Sequence, residues 1–225
     1  MLTIMNSKDQ DLVTANFHPT ISSDRLNTYL IATNFSDQNA LNLYIWNAYI
    51  GEAFHLPIQS VEIGLRNRIN QALVNRYGDE WWREAKFLKI AHSRQQEDIQ
   101  LATRRIQKRQ SSLSTGQLVA TLSFGFWSSM LDSRYNVDIW STELKNAFPN
   151  LPAGKDRGFL SKRVRKINDL RNRIWHHEPI FRLNLSQEYA DTLELLRWIC
   201  QKKHDWIRPK CRVPIILRQK PKGSS

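Results

Sequence analysis

The chain has 225 residues, enough to bury a core as one domain with appendages, and its 41% hydrophobic and 24% charged residues exclude a disordered chain. No apolar run approaches the ~18 residues of a membrane-spanning helix and no secretory pattern opens the sequence, so a cytoplasmic location without a membrane partner is expected. An excess of 33 Lys and Arg over 21 Asp and Glu gives a net charge of +12, which favours polyanionic partners, nucleic acid foremost.

Residues 1–20 are polar, aperiodic and close on His18-Pro19, the composition of a flexible lead-in. A helix capped at Ser22 or Asp24 is predicted to carry Leu26, Tyr29 and Leu30. A second begins at Ser36-Asp37 with Leu41, Tyr44, Ile45 and Ala48 at helical spacing. Pro57 breaks it or opens a long third helix, whose stripe of Val61, Leu65, Ile69, Ala72 and Leu73 runs to a stop at Tyr77-Gly78. A charged surface helix is expected over 92–110, with Ile99, Leu101, Ala102 and Ile106 as its few inward candidates. The stretch 118–131, centred on Phe124-Gly125-Phe126-Trp127, suits one packed core helix. Asp138 opens a short helix ending at Phe148-Pro149, a strongly basic helix follows over about 159–177, and a last one over about 186–206 buries Leu193, Leu196 and Ile199. Residues 207–225, with Pro209, Pro214 and Pro221, read as an extended basic tail in which 213–217 alone resembles a strand. Sustained alternation is absent elsewhere, so the fold class is all-α, a helical bundle with a basic C-terminal tail, its domain spanning 21–206.

One five-residue word occurs twice: Leu65-Arg66-Asn67-Arg68-Ile69 and Leu170-Arg171-Asn172-Arg173-Ile174. The first copy continues as ordinary helix. The second continues into Trp175-His176-His177-Glu178-Pro179, placing two imidazoles at a helix end. On a helix Asn172 and His176 share a face one turn apart, and Arg171 is displaced from His176 by about 140°. A guanidinium can reach around that arc and grip a phosphate with two parallel hydrogen bonds. An imidazole beside that phosphate can accept a proton from a ribose hydroxyl or give one to a departing oxygen. RNA carries its own nucleophile in the 2′-hydroxyl, so this pairing suits RNA cleavage without a metal or a covalent intermediate, and DNA could not react in this way.

The Arg-x4-His spacing with Asn directly after the Arg resembles the signature of HEPN-domain ribonucleases. More specifically, residues 171–181, the segment 61–68, Tyr77-Gly78 with Trp81-Trp82, and Leu122-Ser123-Phe124-Gly125-Phe126-Trp127 resemble Abi-like abortive-infection proteins over about residues 24–206. The resemblance implies a dimerising bundle that brings two motifs to one cleft, with Arg171 and His176 as catalytic residues and Asn172 as their organiser. It also implies a metal-independent endoribonuclease or toxin of phage defence, with no cofactor and with an antitoxin or phage-derived trigger as a further partner. The alternative class is a noncatalytic RNA-binding module.

The neighbouring residues divide between structural and functional readings. His177 continues the stripe of Ile167, Leu170 and Ile174 and is expected as a hydrogen-bonded core histidine. Glu178 supports an imidazole or caps the turn, the second being favoured, and Arg173 is expected to pair with Asp169. His176, His177 and Glu178 lack the one-turn spacing of a helical zinc site, so no metal is expected. Cys200 and Cys211 fit neither metal nor redox spacing and are expected as reduced thiols. Lys162, Arg163, Arg165 and Lys166 are read as a phosphate track leading RNA toward the motif. Trp46, Trp127, Trp140 and Trp198 belong to the core. Trp175 has three uses open to it: stacking on a base, covering the Arg171 guanidinium, or packing against a second subunit.

Overall fold

In the computed structural model, residues 18–109 and 112–221 are described, so the expected lead-in lies almost wholly outside the described residues. The chain runs through α1 (His18–Ile21), α2 (Ser23–Ala32), α3 (Asp37–Tyr77), α4 (Ala85–Ile90), α5 (Ser93–Gln107), α6 (Thr115–Thr121), α7 (Phe124–Ser129), α8 (Ser141–Ala147), α9 (Arg157–Trp175), α10 (Leu185–Ile199), α11 (Gln201–Ile207) and α12 (Val213–Leu217). Among the described residues there is no strand, and the fold is all-α.

The second and third expected helices are one. α3 runs 41 residues with Pro57 inside it. A proline there removes a backbone donor and costs roughly 3 kcal/mol in an isolated helix. The apolar phase nevertheless continues across it, through Ile50, Phe54, Ile58, Val61 and Leu65, all fully buried, and burial on both sides outweighs the lost bond. The predicted stop holds: Gly78 adopts a φ of 88° and its N–H closes on the Val74 carbonyl at 2.8 Å.

The expected core helix over 118–131 is two helices, because the Ser123 side chain accepts the Phe126 N–H at 3.1 Å and starts α7 afresh. The last predicted helix also divides, at Cys200, whose backbone is extended. Residues 213–217 are helical, not strand-like. Pro214 falls in the first turn, where a missing N–H is harmless, and Val213 and Ile216, three apart, are both buried. A five-residue apolar run satisfies either period, and only packing decides between them.

The residues divide into two compact units, with cuts inside α3, α9 and α10. The unit of 57–170 and 191–209 is built on Trp81, Phe87, Phe126 and Trp127, whose rings meet at centroid distances of 5.0 to 6.4 Å. Gly64 lies so close to Ile199 that a Cβ there would stand 2.9 Å from its Cγ2. The first copy of the repeated word is structural in this unit: Leu65 and Ile69 are fully buried, and Arg68 donates to the Ile199 carbonyl at 3.1 Å.

The other unit comprises 18–56, 171–190 and 210–221 and holds the second copy. Tyr29 packs edge-on against Tyr44 and against Phe181, each at 5.3 Å. The Trp46 indole donates to the Ile216 carbonyl at 2.8 Å, tying down the segment expected as an extended tail.

Candidate active site

The motif occupies the last turn of α9 and the loop after it. His177 sits at φ 56°, its N–H bonds the Ile174 carbonyl at 3.0 Å, and the Glu178 N–H bonds the Arg173 carbonyl at 2.8 Å. This double closure is a Schellman ending with His177 at the left-handed position that glycine usually fills. The turn takes His177 off the apolar stripe before it can continue it, so His177 is exposed and is not the core histidine expected. A non-glycine residue in this conformation costs about 1–2 kcal/mol, a strain of the kind that gathers at functional sites. His177→Gly is expected to stabilise the fold by about 1 kcal/mol, read as a raised urea midpoint; an unchanged or lowered midpoint would show the strain to be absent.

Asn47 of α3 holds the chain beyond the turn. Its side-chain oxygen accepts the N–H groups of Ile180 at 2.8 Å and Phe181 at 3.2 Å, and its amide donates to the Glu178 carbonyl at 3.4 Å. Arg25 of α2 donates to the His177 carbonyl at 2.9 Å. Ile180 and Phe181 are buried, so the exit from α9 is anchored by packing as well as by these bonds.

Asn172 links the two residues around it. Its side-chain oxygen accepts from Arg171 at 3.4 Å, and its carbonyl accepts the His176 N–H at 2.9 Å. His176 is exposed at the helix end, and Arg171 and Asn172 are half-buried. The Arg171 guanidinium lies over the Trp175 ring at 4.8 Å, and that ring stacks on His55 at 5.2 Å with 20° between planes. Of the three uses open to Trp175, covering the guanidinium is the one this geometry contains. The Glu178 carboxylate stands 4.0 Å from Arg173, toward which it turns in place of either imidazole.

A cleft of about 570 Å³ opens beside the motif, lined among others by Arg25, Tyr44, Glu52, His55, Trp175 and His177. Tyr29, which also lines it, has its phenol pushed up to about 12 by burial first, then by Tyr44, with Arg25 opposing. A folded-state value above the unfolded one means stability is intact below pH ~10 and is lost as pH rises toward 12. Tyr29 is therefore neutral at physiological pH.

A family model for Abi-like proteins matches residues 13–182, which is 170 of the 225. The chain belongs to the Abi-like protein family. No curated protein and no solved structure matches it. In this Abi-like protein the matched span takes in the whole of 171–181, while α10, α11 and α12 lie beyond it.

The basic residues read as a phosphate track lie in the unit of 57–170 and 191–209, and most of them have acidic partners there. Arg163 bonds Asp191 at 2.9 Å and Glu194 at 2.7 Å, Lys166 bonds Asp191 at 2.8 Å, and Arg165 pairs with Asp132. Lys162 is exposed. The Abi-like protein thus spends much of this cluster neutralising the buried Asp191 carboxylate. No group of His, Cys, Asp and Glu among the described residues has the arrangement of a metal site. No described helix is long and apolar enough to cross a membrane.

Arg25, Asn47, Glu52 and His55 were not singled out from the sequence. Asn47 left one signal: it falls in the buried phase of Leu43, Trp46, Ile50 and Phe54, where a polar residue must find partners. His55 is exposed and left none.

Proposed function

We propose that this Abi-like protein is a metal-independent endoribonuclease of phage defence, a member of the HEPN superfamily that cleaves RNA by 2′-hydroxyl transesterification. The observation that carries the reading is the linkage through Asn172, whose side chain bonds Arg171 while its carbonyl holds the His176 N–H at an exposed helix end. The 2′-oxygen forms a bond to the neighbouring phosphorus as its proton passes to an imidazole. The bond from phosphorus to the 5′-oxygen breaks, and that oxygen takes up a proton. The products are a 2′,3′-cyclic phosphate and a free 5′-hydroxyl, and Arg171 holds the charge that builds on the nonbridging oxygens.

Acid and base are needed at once, and a homodimer that joins two motifs in one cleft would supply two copies of His176 from one gene. Lys162, which is exposed, would contribute a phosphate contact that its neighbours, held by Asp191 and Glu194, do not. The family match is in keeping with abortive infection, in which an antitoxin or a phage-derived trigger would set the time of activity.

The test is incubation of the purified protein with RNA and with DNA of the same sequence, both in excess chelator. Cleavage of RNA to cyclic phosphate ends, with DNA intact, is expected. Binding of RNA without any cleavage would instead identify a noncatalytic RNA-binding module.

A further inference from the structure

We infer that the cleft beside the motif binds one unstacked base of the RNA substrate, guanine in preference to the others, and so sets where the chain is cut. The inference rests on the RNA-cleaving reading above and adds a specificity site to it.

The cleft has the size and chemistry for such a ligand. Small-ligand sites run to about 300–1,000 Å³, and this one is about 570 Å³. Its walls carry Tyr44, half-buried, and the stacked pair of His55 and Trp175; with the Trp175 ring taken up by His55 and Arg171, it is Tyr44 and His55 that offer flat surfaces of the kind on which unpaired bases stack.

Charge separates a base from a phosphate. The protein as a whole is strongly basic, yet the cleft sets two carboxylates, Glu52 and Glu178, against one guanidinium, Arg25, which donates to the His177 carbonyl. A phosphate would meet those carboxylates with like charge. A neutral ring with N–H groups on its edge would not. Glu52 stands 3.5 Å from Arg212 and Glu178 4.0 Å from Arg173, side chains about half or more exposed in every case, and a carboxylate in one such contact still has oxygens able to accept. Guanine presents two adjacent N–H donors on its pairing edge, matching the two oxygens of one carboxylate. Adenine and cytosine offer one amino group, and uracil a single ring N–H.

The test separates binding from cleavage. Tetraribonucleotides identical but for one base are titrated against the His176→Ala protein, which should bind without cutting, and affinity is read by fluorescence anisotropy. Guanine is expected to bind about tenfold more tightly than uracil. Glu52→Gln together with Glu178→Gln is expected to erase that ratio, since a carboxamide offers only one accepting oxygen. Ala48→Trp, which fills the cleft from an exposed lining position, is expected to weaken all four ligands alike. Equal affinities for the four bases, a guanine preference that survives the charge-removing variant, or affinities that the filling variant leaves unchanged would overturn the inference. Base-selective binding by a protein whose wild type cuts no RNA would retire the nuclease reading and leave the cleft standing. Cleavage whose mapped ends are unaltered by these variants would do the reverse.

Discussion

His176→Ala is expected to lower the rate of RNA cleavage by about 10²–10⁴-fold, the range that a positioned proton-transfer group contributes. The same change should leave the unfolding free energy, read by urea titration, within about 0.5 kcal/mol of wild type, because the side chain is exposed and the hydrogen bond holding the residue comes from its backbone. Arg171→Ala should cost about 10²–10³-fold, as removal of one charge-stabilising donor does elsewhere, together with about 0.5–1 kcal/mol of stability from the lost indole contact. Arg171→Lys keeps the charge and loses the fork, so it should rescue little. A His176→Ala protein that cuts RNA at the wild-type rate would end the catalytic assignment.

Asn47→Leu is expected to be the most destabilising single change near the motif. It removes the acceptor for two backbone N–H groups, those of the buried Ile180 and Phe181, and each donor left unsatisfied costs about 1–3 kcal/mol. Loss of about 2–6 kcal/mol should follow, enough to unfold a marginal domain at 37 °C. Asn47→Asp retains the acceptor oxygens but sets a buried carboxylate oxygen against the Glu178 carbonyl, so it should recover only part of that loss. Urea midpoints of the two variants decide the matter, and equal midpoints would show that the Asn47 oxygen is not what holds the 178–181 segment.

The helices were legible where the apolar phase recurs: Leu26 and Tyr29 in α2, Val61, Leu65, Ile69, Ala72 and Leu73 in α3, and Ile167 and Leu170 in α9 are all buried. The errors have local causes. Pro57 resembles a boundary because its cost is intrinsic, while the burial that outweighs it is tertiary. His177 falls in phase with the stripe of α9, and neither its side chain nor a glycine at that position announces the left-handed residue found there. The motif itself was legible because Arg171, Asn172 and His176 fall within six residues. The cleft was not, since Arg25, Asn47 and His55 come from α2 and α3, more than a hundred residues earlier in the chain.

Transesterification requires the 2′-hydroxyl beside the cut phosphate as the attacking group. Once a cut is mapped on an RNA oligonucleotide, the ribose on the 5′ side of that phosphate is replaced by its 2′-deoxy counterpart and the digestion repeated in chelator. Cleavage at that bond should vanish while cuts elsewhere on the strand persist. Cleavage continuing at the substituted bond would mean that water or another external nucleophile attacks, and that Arg171 and His176 do not catalyse transesterification.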